Sequence, residues 1–179
     1  EGASTTAAGL ARVLALSGHR VVLVGGDLRS PSAVGAPGAP GLAEVLVGTA
    51  RLSQVLVEGE VPGLELLPAG DMPGNPSELL GGRNMSDLLH HLAADRIVII
   101  DAPPVCRFTD AVVLAEYAGG VLLVARAGRT SAEELREAAL AVGQGGGHML
   151  GVVLTNVSDP GRGSRSVQAG VTHAESATV

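Results

Sequence analysis

Short, fully apolar runs alternate with helix-length segments along most of this chain. The runs are 20–24 (RVVLV), 64–68 (LELLP), 96–100 (RIVII), 120–125 (GVLLVA) and 149–155 (MLGVVLT). A run without polar alternation suits a strand buried on both faces, the usual state in a parallel sheet covered by helices. Their regular exchange with helical signals predicts an α/β fold with a mostly parallel, doubly wound sheet. The first helix is expected over 4–17, with Leu10, Val13 and Leu14 on one face and Gly18 as its stop. A Pro/Gly loop at 31–41 leads to short helical readings at 42–47 and near 51–57. A longer helix is predicted from Asn75 to about Leu92, with Asn75 as cap, Pro76 at the first position and Glu78 closing a capping box. Thr130–Val142 reads as another, carrying Glu133 and Glu134 in its first turn. Residues 1–157 are thus expected to form one nucleotide-binding domain, and 158–179, which lack apolar periodicity, a flexible tail.

Composition narrows the function classes. Phe108 and Tyr117 are the aromatic residues, so the core must be built from Val, Leu, Ile and Ala. A net charge of −6 argues against a nucleic-acid surface, which needs basic groups to neutralise phosphates. No apolar run approaches the ~20 residues of a membrane span, and no signal peptide is visible. The single cysteine, Cys106, cannot form an internal disulfide, as suits a reducing compartment, and is expected to be a buried or half-buried thiol. His90 and His91 are adjacent, which is not metal-ligand spacing on one helix face.

Three segments can carry chemistry, because ligands of open α/β sheets gather at the carboxyl ends of the strands. Gly2-Ala3-Ser4-Thr5-Thr6, running into the first helix, matches the end of a phosphate-binding loop, G-K-[ST], with Ala3 where the lysine belongs. Backbone N–H groups at the helix start favour phosphate, the Ser4 hydroxyl is placed to ligate Mg²⁺, and Thr5 to reach a phosphate oxygen. A plain Ser-Thr helix cap reads equally from these residues. Asp27 follows the 20–24 strand, either as a metal ligand or as a turn residue pairing Arg29. Asp101 ends the 96–100 strand and is followed by Ala102-Pro103-Pro104. This is a Walker B pattern, in which the acidic group holds Mg²⁺; a turn carboxylate is the alternative. If one geometry unites them, Ser4, Asp27 and Asp101 surround a magnesium-sized space beside the first helix. The strand and glycines that normally precede such a loop would lie upstream of Glu1, so the chain is expected to be a piece of a longer protein.

The segments EG-STTAAGLA, VVLVGGDLRSP, LPAGDMPGNPSELL, VIIDAPPV, TDAVVLA, GVLLVARAGRT and LGVVL together resemble bacterial tyrosine kinases of the capsular and exopolysaccharide co-polymerase type. The resemblance spans about residues 1–157. It implies a P-loop fold with deviant Walker motifs, an ATP–Mg²⁺ site with Gly2, Ser4, Thr5, Asp27 and Asp101, and Asn156 at the position where related ATPases place a base-reading amide. Asn156 reads equally as a turn residue. The resemblance also implies a transmembrane chain-length regulator as partner, homo-oligomers, and a place at the inner face of the cell membrane. Three departures bear on activity. Ala3 replaces the loop lysine, and Gly25 replaces the first aspartate of the Asp-x-Asp motif that ends at Asp27. No tyrosine follows Tyr117, which is expected to be a packing residue. The chain is therefore expected to be a degenerate member, binding Mg-ATP and slow or inactive in phosphotransfer. The alternatives are an active kinase in which Arg29, Arg107 or Arg126 stands in for the lysine, and a partitioning-type ATPase.

Overall fold

Strand β1 (Val21–Gly25) alternates its side chains between two apolar layers, and the molecule is built outward from it. The computed structural model describes residues 2–30, 34 and 38–157. The element order is α1 (Ala3–Leu16), β1, α2 (Leu42–Val47), α3 (Leu52–Val55), β2 (Val57–Glu58), β3 (Leu64–Leu67), α4 (Pro76–Leu80), α5 (Arg83–Ala93), β4 (Ile97–Asp101), α6 (Asp110–Tyr117), β5 (Val121–Arg126), α7 (Ala132–Gln144) and β6 (Met149–Thr155). The tail expected at 158–179, and positions 31–33 and 35–37 of the Pro/Gly loop, lie outside the described residues.

The expected α/β architecture forms, with its parallel strands in two pieces. One sheet has the order β2-β3-β1-β4, the other pairs β5 with β6. β1 runs parallel to β3 and β4, and β5 parallel to β6, while β2 joins β3 antiparallel at the edge. Val22 and Val24 enter a core formed with Leu42, Leu46, Leu67, Leu80, Met85 and Leu92. Val21 and Leu23 point the other way, onto Ala11 and Ala15 of α1. This is why an uninterrupted Val/Leu run was needed: each face of β1 has its own helical cover. A smaller core holds α7 against β5 through Ala115, Leu123, Ala138 and Val142.

Several local expectations change. The buried stripe of α1 is Ala11 and Ala15, and Val13 is 61% exposed, because small side chains let the helix lie close to the sheet. The helix predicted from Asn75 to Leu92 breaks at Gly81-Gly82 into α4 and α5. Each glycine weakens a helix by about 1 kcal/mol relative to alanine, so two in succession let packing turn the chain. Beyond the break α5 buries Met85, Leu88, Leu89 and Leu92, the spacing of one helix face. Asn75 is the N-cap of α4 with Pro76 following, as expected, but its side chain accepts no helix N–H; its amide donates to the Glu78 carboxylate. The helical reading near 51–57 shortens to α3, and Val57 becomes part of β2.

β1 is buried along its whole length, whereas the equally apolar β4 is only half-buried. The difference comes from a cavity of about 1320 Å³ lined by β4 from Val98 to Asp101 and β5 from Val121 to Val124. At the opposite side β4 is sealed against β1, where the Gly26 N–H donates to the Asp101 carbonyl at 2.8 Å. A Cβ on Gly26 would lie 2.8 Å from Ile100 Cγ2 and 3.0 Å from both the Asp101 carbonyl oxygen and Leu114 Cδ1. Gly26→Ala is therefore expected to destabilise the protein by about 2 kcal/mol, since overpacking a closed site forces backbone shifts. The urea midpoint should fall with an unchanged m-value; an unaltered midpoint would show that the β1–β4 junction yields freely.

Candidate functional site

Helix α1 starts at the carboxyl edge of the strands because Gly2 turns the chain there. Gly2 is its N-cap, with φ of 100°, a left-handed conformation that favours glycine. A Cβ at this position would meet Thr155 at 3.3 Å, at the end of β6. Thr6 closes the first turn, its hydroxyl donating to the Gly2 carbonyl at 2.8 Å. Two residues on from Gly2, the Ser4 hydroxyl lies close enough to the Asp101 carboxylate, at the end of β4, to favour its charged form. Because Gly2 and Ser4 touch the ends of β6 and β4, both sheets present their carboxyl ends to the start of α1. That start carries unpaired N–H groups and the positive end of the helix dipole.

Asp101 is 5% exposed. Burial raises its pKa above the ordinary carboxylate value, the neighbouring Ser4 hydroxyl opposes the rise, and the negative charge of Asp27 adds to it. Asp27 is thus close enough to act on Asp101 electrostatically. Its own Oδ1 accepts from the Arg29 N–H at 3.0 Å and the Ser30 N–H at 3.2 Å, closing the turn after β1. The Asp27–Arg29 contact raised as the alternative is therefore a backbone one, and the guanidinium goes to Asp110. Ser4, Thr5, Asp27 and Asp101 all line the large cavity, where Thr5 is exposed. Asn156 follows β6 at the same edge, exposed and in a left-handed turn with φ of 56°; it does not line that cavity.

Among the described residues, no group of three or more His, Cys, Asp and Glu could hold a metal by itself. The oxygens present instead suit Mg²⁺, which takes one or two carboxylates and completes its shell with phosphate and water. The position where the resemblance calls for a second aspartate, Gly25, is the register partner of Asp101. Of the arginines considered as substitutes for lysine, Arg29 is bound to Asp110, and Arg126 pairs in register with Thr155. Arg107 lines the cavity, and so does Arg129, which the sequence reading passed over. Arg129 follows Gly128, whose φ of 73° marks the tight turn after β5. Cys106 is exposed, not buried, with its thiol 3.7 Å from the Glu134 carbonyl. Tyr117 is partly buried and packs on the main core.

Asp101 carries a stability consequence. A carboxyl whose folded pKa is raised contributes stability below its unfolded value near 4, and loses it as pH rises through the folded value. Asp101→Asn is therefore expected to match the wild type near pH 3 and exceed it by about 1 kcal/mol at pH 7, as removal of a functional-site strain commonly does. Denaturation curves across that range check this; a gap that does not change with pH would rule out an uncompensated charge.

No family profile matches the chain. EpsB of Ralstonia nicotianae is 39% identical over 173 residues, covering 92% of this chain but 23% of its own length, so the chain spans about a quarter of that relative. The tyrosine-protein kinase CpsD of Streptococcus agalactiae is 33% identical, with 89% of this chain and 71% of CpsD covered. The crystal structure of the VpsO kinase domain superposes with a TM-score of 0.81 at 34% identity, covering 88% of this chain and 80% of that one. Septum-site ATPases of the MinD type, at 22% identity and a TM-score of 0.69, share the fold alone. With a relative above 30% identity matched over more than two thirds of its length, and with a solved kinase domain superposing closely on it, the chain belongs to the bacterial tyrosine-protein kinase family.

Proposed function

We propose that residues 1–157 form a Mg-ATP-binding, tyrosine-kinase-like domain with deviant Walker motifs, working in capsular or exopolysaccharide biosynthesis and chain-length control. The observation that carries this reading is that Ser4, at the start of α1, lines one cavity with Asp101 and Asp27, and that Ser4 and Asp27 both act on the Asp101 carboxylate. Ser4, Asp101 and Asp27 would hold the metal, whose chemistry is to bridge and neutralise phosphate oxygens. The Gly2–Thr6 turn would receive phosphate on its free N–H groups, with Thr5 exposed beside it. Asn156, in its left-handed turn at the same edge, is the candidate to meet the base.

Phosphotransfer in this chain is weak by the same reading. A lysine charge about 4 Å from a phosphate oxygen contributes roughly 4 kcal/mol at an intermediate dielectric. Ala3 lacks it, and if the interaction acts mainly in the transition state the rate falls about a thousandfold. Gly25 leaves no carboxylate at the register position opposite Asp101 to accept a proton. We place the domain at the inner face of the cell membrane, docked on a transmembrane chain-length regulator and assembling with its own copies, without nucleic acid. Among the described residues, no helix is long and apolar enough to cross a membrane. A second reading, an active kinase using arginine, is favoured by one observation: Arg107 and Arg129 line the same cavity as Ser4 and Asp101.

Calorimetry with Mg-ATP is expected to show binding that Ser4→Ala and Asp101→Ala each abolish; no heat with the wild type would leave a scaffold that binds no nucleotide. Restoring both missing groups, Ala3→Lys with Gly25→Asp, is expected to raise ATP turnover about a thousandfold. Wild-type turnover within tenfold of an intact relative, lost in Arg107→Ala or Arg129→Ala, would establish the arginine reading instead.

A further inference from the structure

Two sequence segments that the metal site leaves unused, NPSELL and FTDA, meet the GDLRSP turn that follows β1 at one buried carboxylate. Asp110, in the first turn of α6, has 0% of its surface exposed. Its Oδ2 accepts from Arg29 Nε at 2.5 Å and its Oδ1 from Arg29 Nη2 at 3.2 Å. The Ser77 hydroxyl, at the start of α4, also donates to Oδ1 and accepts from Arg29 Nη2 at 3.0 Å. Phe108 lies under the guanidinium, 4.7 Å from its ring centroid. Arg29 is thus held on its charged edge by two elements and on its face by a ring.

Arg29 stands two residues from Asp27, within range of its field. An arginine so close to an exposed-edge carboxylate would ordinarily fold back and form a bidentate ion pair with it. Such a pair would neutralise Asp27 and occupy the oxygens a divalent cation needs. Here the stronger partner is elsewhere. A carboxylate removed from water gains more from a guanidinium than a half-exposed one does, and leaving it unpaired would cost several kcal/mol. Asp27 is left with two backbone N–H bonds, both on Oδ1, while Oδ2 takes neither.

We propose that Asp110 is a positioning residue for the metal site: by sequestering the Arg29 side chain, it keeps the Asp27 carboxylate open to a divalent cation. The inference rests on reading Ser4, Asp27 and Asp101 as the metal–nucleotide site. It assigns the Ser77 and Asp110 segments a common purpose, since both are needed to outcompete Asp27 for one guanidinium. Leu28, 2% exposed, anchors the same turn from below, so the turn itself survives loss of the ion pair.

The test compares ATP affinity with Mg²⁺ and with EDTA, by calorimetry on the purified chain. Asp110→Asn is expected to weaken the Mg²⁺-linked part about tenfold, the scale of losing an outer-shell partner, and to leave the EDTA value unchanged. Arg29→Gln added to Asp110→Asn is expected to recover wild-type Mg²⁺ dependence to within threefold, because the released guanidinium is gone. A purely structural role predicts no such recovery, and a double variant as weak as the single one would overturn the proposal. Should Asp110→Asn not fold, Ser77→Ala keeps the ion pair and is expected to show a smaller loss, again cancelled by Arg29→Gln. Independently of nucleotide, the Arg29 Nε–H resonance should shift in Asp110→Asn and shift again when Asp27→Asn is added, because the guanidinium then loses its second carboxylate; insensitivity to Asp27 would overturn the inference. A wild type whose ATP affinity ignores Mg²⁺ would instead remove the metal-site reading, and this is seen before any variant is made.

Discussion

The parallel pairing of β1 with β4 fixes what the carboxyl edge of the sheet can be. It sets Gly25 opposite Asp101 and joins Gly26 to the Asp101 carbonyl, so the two acidic turns that follow these strands emerge side by side. The close approach is possible because Gly26, just past β1, has no Cβ to strike Ile100 and the Asp101 carbonyl. At the amino edge the same strands are tied by charge: Arg96 binds Glu65 of β3 and Asp95, and Asp95 in turn binds Arg20 ahead of β1. With register held at both ends, a carboxylate buried at Asp101 has nowhere to retreat. Its raised pKa is the physical trace of that confinement.

The arginines show how charge is distributed in a chain without lysine. Arg96 and Arg29 are each committed to carboxylates that hold strands or turns in place. Phosphate would be left to the helix start and to whatever guanidinium reaches it from the cavity wall. A point charge on a flexible lysine stem reaches across a loop; a planar guanidinium works best where its fork meets a fixed carboxylate. The distribution is in keeping with the proposed reading, in which the domain holds nucleotide more readily than it transfers phosphate.

Much of the fold could be read from the chain. The strands are short, largely apolar runs, and α5 and α7 bury residues at the spacing of one helix face. Segments ruled by contacts distant in sequence read poorly. The Gly81-Gly82 break, the two-residue strand β2 and the small-residue face of α1 are decided by what lies against them. Asp110 is the sharpest case. As Thr-Asp at a helix start it is indistinguishable from a cap, yet it is fully buried because Arg29, 81 residues away, and Ser77 satisfy it. Cys106 read as buried for its residue type, and it is exposed because its loop lies outside the cores.

By itself the sequence determined the class of fold, the order of its main parallel strands, and which oxygen-bearing residues follow them. These follow from periodicity and from strand–turn–helix grammar, which act over a few residues. Tertiary structure alone decided that Ser4 meets Asp101, that Asp27 stands within its field, and that Arg29 turns to Asp110 instead of to the carboxylate two residues away. Those outcomes depend on burial, and burial belongs to the packed molecule: the same ionic contact is weak in water and decisive where no water can compete.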